Sequence, residues 1–101
     1  MCPIESECRQ QVLLALDVMC DEERYLAFRI LSMEKYSSKA ITFWMDTFLE
    51  RIDTFRNCYS IDYGVKHWEC FRLGNLNFLV IKDAVDTYDA WIKSEEVNHG
   101  S

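Results

Sequence analysis

An amphipathic pattern in the middle of the chain constrains the fold more than any other feature of the sequence. Apolar side chains recur there at alternating steps of four and three residues, which lines one side of a helix. The pattern predicts a helix from about Lys39 to Asn57, with Ser37-Ser38 offering the N-cap. Its apolar positions are Ile41, Met45, Phe48, Ile52 and Phe55, and its opposite side carries Phe43, Asp46, Glu50 and Asp53.

Size and composition predict one ordered domain over residues 1–101. Half of the residues are apolar and 14% are aromatic, which can supply a core for a chain of 101 residues. Three glycines and one proline leave few positions for long irregular loops. The polar tail over residues 95–101 is expected to fray.

The first third of the chain predicts helices in one of two arrangements. Pro3 suits a first helical turn, and the stretch to Cys20 contains few helix breakers. Asp21, followed by two glutamates, is typical of a second helix start. The alternative is one long helix over residues 4–36, because the apolar positions keep a seven-residue rhythm. We favour two helices, since so long a helix is rare in a small domain. The rhythm comprises Val12, Leu16, Met19, Leu26, Ile30 and Met33.

The second half of the chain predicts a three-stranded antiparallel β-meander. Residues 59–63 and 66–72 alternate in the manner of strands, and Gly74-Asn75 is a favourable hairpin connection. Residues 76–82 are apolar on both faces, as in a strand covered on both sides. A last helix starts near Asp83 or Asp86. The predicted fold class is therefore α+β: two or three N-terminal helices, then the meander and a C-terminal helix.

The net charge of the chain predicts the sign of the charge on a macromolecular partner. Lysine and arginine total 11 against 17 aspartates and glutamates, a formal charge of −6. Direct binding to nucleic acid is disfavoured, because it depends on basic side chains that neutralise phosphates. The same charge favours a basic protein or a nucleoprotein complex as partner.

The sequence predicts a cytoplasmic protein without a membrane segment. The N-terminus is acidic rather than signal-like, and no apolar run approaches the roughly 18 residues of a membrane span. Five cysteines without a CxxC pair are expected to be reduced thiols.

No pattern in the sequence predicts catalysis, a metal site or a cofactor. Cys58, His67 and Cys70 have metal-ligand chemistry, but His67 and Cys70 point to opposite faces of their predicted strand. His67 and Glu69 share a face and could form an acid–base pair, although a solvated sheet face explains them equally well. We find no phosphate-binding glycine loop and no nucleophile elbow. The chain is therefore expected not to be an enzyme.

The acidic side of the central helix is the candidate partner-binding surface. Acids four residues apart repel each other, and no lysine stands one turn further on to relieve them. A solvated helix face is the alternative explanation. Phe43, and Phe71 on the His67 strand face, are candidate aromatic anchors. The predicted partner-binding residues are Phe43, Asp46, Glu50, Asp53, Phe71, Asp86 and Asp89.

These features predict a small acidic inhibitor of the immunity-protein type. It would occlude a basic surface of a nuclease, a toxin or a nucleic-acid-handling complex, with carboxylates standing where phosphates bind. Phage-encoded inhibitors of defence systems share this profile of size and acidity. The main alternative is a self-associating helical module, a homodimer built on the seven-residue rhythm. A small enzyme using His67 and Glu69 is a third hypothesis.

Overall fold

The computed structural model describes residues 3–51 and 65–99, which form five α-helices. Neither of these two ranges contains a β-strand. The first two helices are separate, as favoured above, because residues 18–20 break the helical backbone. The helices are α1 (Pro3–Asp17), α2 (Asp21–Ser32), α3 (Ser38–Leu49), α4 (Val65–Gly74) and α5 (Leu76–His99).

The prediction of a β-meander, and with it the α+β fold class, is wrong. The second predicted strand is α4, and the third forms the first turns of α5. The first predicted strand, residues 59–63, lies outside the described residues. A short apolar run does not distinguish a strand from a buried helix. Here Phe78, Ile81 and Val85 repeat at helical steps and are all buried, so one side of a long helix explains them.

Side-chain and backbone caps fix where the helices begin. The Cys20 backbone N–H, just before α2, donates to the Glu23 carboxylate at 3.1 Å. The Ser37 hydroxyl accepts from the Ala40 backbone N–H at 3.3 Å, which confirms the predicted N-cap of α3. Gly74-Asn75 is a helix junction rather than a hairpin. Asn75 Oδ1 accepts from the backbone N–H of the third residue of α5 at 2.9 Å.

Helices α1 and α3 run in the same direction. Arg51, two residues after the end of α3, donates to Asp17 at the end of α1 at 2.7 Å. Glu50 forms an ion pair with Arg9, which lies two turns earlier on α1. The C-terminal ends of the two helices therefore lie at the same end of the molecule.

Helix α5 runs antiparallel to α1 and α3. Asn75, at its start, donates from Nδ2 to Glu23 in the first turn of α2 at 2.7 Å. Tyr36, which precedes α3, donates its hydroxyl to Asp86 near the middle of α5 at 2.5 Å. The start of α5 thus lies near the end of α1, and its middle lies near the start of α3.

The core lies between α1, α2, α3 and α5. Phe28 and Phe48 both pack edge-on against Trp44, with ring centroids 5.1 and 5.4 Å away. The apolar rhythm of the first two helices is buried here inside the monomer, apart from the exposed Met33. The largest fully buried side chains are Trp44, Phe48, Phe78, Leu16, Ile30, Leu31, Ile81, Val12, Val85 and Thr47.

Candidate functional site

The rotation of α3 about its axis decides which predicted binding residues reach solvent. The sequence pattern predicts that Ile41 and Met45 are buried, yet Met45 is 40% exposed and Ile41 is half-buried. The buried side is turned by about one residue relative to the prediction. It consists of Ala40, Phe43, Trp44, Thr47 and Phe48.

Phe43 belongs to the core rather than to an exposed acidic surface. Its side chain is 6% exposed, and its ring stacks on Tyr88 of α5 with centroids 4.4 Å apart and planes inclined by 25°. The hydroxyl of Thr47 donates to the Phe43 carbonyl at 2.7 Å, so this polar side chain joins the buried side without an unpaired donor. Packing against Tyr88 explains the position of Phe43.

A groove opens where α1, α3 and α5 meet. Its volume is about 300 Å³, and Phe43 and Tyr88 are the aromatic residues among those that line it. We call it the acidic groove, after its two carboxylates. Its lining residues are Glu5, Ser38, Lys39, Thr42, Phe43, Asp46 and Tyr88.

The two carboxylates of the acidic groove are unpaired within the described residues. Neither Glu5 nor Asp46 forms a hydrogen bond or ion pair there, and the exposed Lys39 does not bind either of them. Sequence reasoning missed Glu5, Lys39 and Tyr88, although Lys39 precedes Asp46 by two turns on α3 and that spacing could have indicated it. Glu5 and Tyr88 lie on other helices, and only the tertiary fold brings them to α3.

Asp46 is the carboxylate that helix stability does not explain. Glu5 lies in the first turn of α1, where a negative charge interacts favourably with the helix dipole. Asp46 lies in the last turn of α3, where a negative charge is unfavourable, and that turn contains no basic residue. Glu50, one turn further on, is neutralised by Arg9. Asp46 is not.

Asp86 is engaged within the monomer, as Glu50 is. It accepts from the Tyr36 hydroxyl at 2.5 Å and from Lys82 Nζ at 2.9 Å. Burial, together with the hydrogen bond to Asp86, raises the pKa of Tyr36 above its usual range. Asp86 therefore ties the start of α3 to α5, and less of its charge is available to a partner.

Asp89 has a structural position rather than an exposed one. It is 6% exposed and accepts from the Ser37 backbone N–H at 2.8 Å and from Lys93 Nζ at 2.8 Å. Burial by itself would raise the pKa of Asp89, but the hydrogen bonds from Lys93 and Ser37 outweigh burial and lower it. The carboxylate thereby joins α5 to the N-cap residue of α3.

Phe71 is half-buried, and Asp53 lies outside the described residues. The Phe71 ring packs against Phe78 with centroids 5.1 Å apart. Phe71 also lines a second cleft of about 440 Å³ between α2 and the α4–α5 junction. Glu23 lies in this cleft, and hydrogen bonds from the Cys20 backbone and from Asn75 lower its pKa. The polar groups of Glu23 and Asn75 satisfy each other here.

The described residues include several side chains with metal-ligand or thiol chemistry. They contain no group of three or more His, Cys, Asp or Glu side chains placed to hold a metal ion. Cys8, Cys20 and Cys70 are not part of a disulfide. Cys58 and the side chain of His67 lie outside what the structure describes. Since residues 66–72 are helical, the strand geometry that separated His67 from Cys70 in the sequence argument does not apply.

Comparison with protein-family models, curated proteins and solved structures found no match to this chain. Within the described ranges, no helix combines the length and apolar character needed to cross a membrane. The case for function therefore rests on the acidic groove and its surroundings.

Proposed function

We propose that this protein binds a basic partner protein through the acidic groove. In this proposal it acts in the cytoplasm as an inhibitor, covering a cationic surface of a nuclease, a toxin or a nucleoprotein complex. The observation that supports it best is Asp46, an exposed carboxylate without a described partner at the unfavourable end of a helix dipole. A residue that costs fold stability where it stands is a candidate for function.

The chemistry of the groove suits an arginine side chain. A guanidinium group forms paired hydrogen bonds with carboxylates such as Glu5 and Asp46. Its apolar stem can pack against the small part of Phe43 and Tyr88 that reaches the groove, since each of these residues is 6% exposed. A volume of about 300 Å³ is at the lower end of ligand pockets, which favours one inserted side chain over a large cofactor.

Lys39 allows a test in which a charge change should strengthen partner binding rather than weaken it. Its ammonium group lines the same groove and opposes the two carboxylates, so it weakens the attraction of a cation. Lys39→Glu should therefore strengthen binding, whereas Asp46→Lys should weaken it. Opposite responses at two positions on α3 are expected from electrostatic recognition and not from general damage to the fold.

The direct experiment is affinity capture from a lysate of the native host with matched baits. Wild-type protein should retain a basic protein at low ionic strength and release it as salt rises, because exposed charges are screened. Asp46→Lys should retain less, and Lys39→Glu should retain more. Glu69→Lys is the control: it makes the same charge change at an exposed acid on α4, outside the groove, and should bind like wild type.

The stability of Asp46→Lys separates function from folding. A cation in the last turn of α3 should stabilise the helix by about 0.3–1 kcal/mol, so lost binding cannot reflect an unfolded bait. Inhibition is then assayed on the captured protein, with and without the wild-type chain. Equal capture by wild type, Asp46→Lys and Lys39→Glu would end the proposal.

A further inference from the structure

Charged side chains connect α1 and α3 at one level of the bundle and face each other unpaired at the next. Arg9 of α1 forms an ion pair with Glu50, the residue directly after α3. Glu5 precedes Arg9 by four residues, and Asp46 precedes Glu50 by four residues. Residues four apart lie on the same side of a helix, about one turn from each other. Each member of the ion pair therefore has a carboxylate one turn before it.

Glu5 and Asp46 lie at the same height in the bundle. Helices α1 and α3 run in the same direction, so one turn toward the N-terminus moves both residues the same way from the Arg9–Glu50 pair. Both line the acidic groove, one from each helix. The Arg9–Glu50 level joins a guanidinium group to a carboxylate. The level above it has two carboxylates, and neither is paired with a cation within the described part of the chain.

Side-chain length leaves a gap between these two carboxylates. One turn away, an arginine and a glutamate together span the distance from α1 to α3. A glutamate and an aspartate are together shorter, so Glu5 and Asp46 do not fill the same distance. The acidic groove, with its volume of about 300 Å³, opens at this place. The gap is therefore part of the groove and accessible to a side chain from outside.

The cations already beside the groove do not fill this gap. Lys39 precedes Asp46 by seven residues, or about two turns of α3, and binds neither carboxylate. On the other side of the gap, the guanidinium group of Arg9 is engaged with Glu50. One added cation is attracted to the two carboxylates, whereas a second cation further along the groove would approach Lys39 or Arg9 and be repelled. The groove therefore suits one cation rather than a row of them.

A guanidinium group suits the gap better than an ammonium group. Its five N–H donors lie in one plane and point to different sides, so it can donate to a carboxylate on each wall at the same time. An ammonium group is compact and strongly hydrated, and it reaches one carboxylate of a separated pair while the other stays unpaired. A guanidinium group is also the cation that connects the same two helices one turn away, in Arg9.

We propose that the acidic groove takes a single arginine side chain and selects it over lysine, with the guanidinium group bridging Glu5 and Asp46. This inference rests on the proposed function and narrows the basic partner to one that presents an arginine on its binding surface. The bridge repeats, with the partner's guanidinium group, the connection that Arg9 and Glu50 make within the chain.

Titration with short peptides, followed by nuclear magnetic resonance, tests the selectivity. The probes are blocked glycine peptides that differ only in one central residue, arginine or lysine, and therefore carry the same charge. The arginine peptide should shift the backbone amide signals of Thr42 and Asp46, which line the groove, at millimolar concentrations. It should bind at least about fivefold more tightly than the lysine peptide, as expected from one additional hydrogen bond.

Single substitutions test whether both carboxylates are needed. Glu5→Gln and Asp46→Asn each remove one negative charge and nearly keep the shape of an exposed side chain. Either change should reduce the preference for the arginine peptide to less than about twofold, because the guanidinium group then has one charged acceptor. Glu69→Gln is the matched control. It changes an exposed glutamate on α4, outside the groove, and should keep the wild-type preference.

Three results would overturn the proposal. They are equal affinity of the wild-type chain for the two peptides, groove amides that do not respond to the arginine peptide, and a preference for arginine that survives Glu5→Gln. These results differ from a failure of the proposed function. Capture of a basic partner that depends on Asp46, without a preference between the peptides, would leave the proposed function standing and remove the arginine bridge.

Discussion

Removing the carboxylate of Asp89 should be among the most destabilising single changes of a charged residue in this protein. Asp89 is nearly buried and accepts from the Ser37 backbone N–H and from Lys93, both at 2.8 Å. Asp89→Ala takes the acceptor away and leaves the partly buried Ser37 N–H without its bond. This donor belongs to the N-cap residue of α3, so the junction between α3 and α5 loses its polar anchor.

The expected magnitude follows from these two interactions. A hydrogen bond to a charged group contributes about 1.5–3 kcal/mol. The ion pair with Lys93, which is more than half exposed, adds at most about 0.5 kcal/mol. We expect Asp89→Ala to lower the free energy of unfolding by about 2–3 kcal/mol, or the melting temperature by roughly 10–20 °C. Asp89→Asn, which keeps an acceptor for Ser37, should cost about 1 kcal/mol.

The pKa of Asp89 predicts how the stability difference between wild type and Asp89→Ala changes with pH. The pKa of Asp89 is lowered in the folded state, so its stabilisation is present above the ordinary carboxyl pKa and is lost as pH falls through the folded-state pKa. Urea unfolding followed by circular dichroism should show a large gap between wild type and Asp89→Ala at neutral pH. That gap should narrow in acid, where the wild-type carboxyl group is protonated.

Asp83→Ala is the matched control, because Asp83 is an exposed acid on the same helix. Its effect should stay within about 0.5 kcal/mol. The reasoning is refuted if the two variants lose the same free energy, or if the gap between wild type and Asp89→Ala is the same at acid and neutral pH.

Two further predictions concern the same end of α3. Ser37→Ala should lower the free energy of unfolding by about 1 kcal/mol, because the Ser37 hydroxyl caps the Ala40 N–H. Ser38→Ala, inside the first turn, should lower it by only about a few tenths of a kcal/mol. Equal losses for the two variants in thermal unfolding would contradict the cap. Tyr36→Phe should remove part of the alkaline loss of stability. The pKa of Tyr36 is raised in the folded state, so its contribution is complete below about pH 10 and is lost as pH rises further. Unfolding of both proteins from pH 8 to 11 should give converging stabilities, and parallel curves would contradict the assignment of the Asp86 hydrogen bond.

The sequence was most informative about the first half of the chain. Pro3 and Ser37 mark helix starts through local backbone chemistry, which needs no tertiary contact, and both are where the structure begins a helix. The separation of α1 from α2 was also favoured correctly. The prediction for the second half was wrong because alternation over five to seven residues fits either a strand or a helix. The helical assignment of α5 follows only from burial, which places Phe78, Ile81 and Val85 on one side of a long helix.

The candidate site shows the same division on a finer scale. The sequence by itself determined the net charge, the helical character of residues 38–49 and the exposure of Asp46. Only the tertiary structure decided that α3 turns Phe43 inward onto Tyr88. The tertiary structure also decided which carboxylates form an ion pair or accept a hydrogen bond from another helix. The physical reason is that helical periodicity fixes which residues share a side, whereas the rotation and neighbours of that side depend on packing against helices distant in sequence.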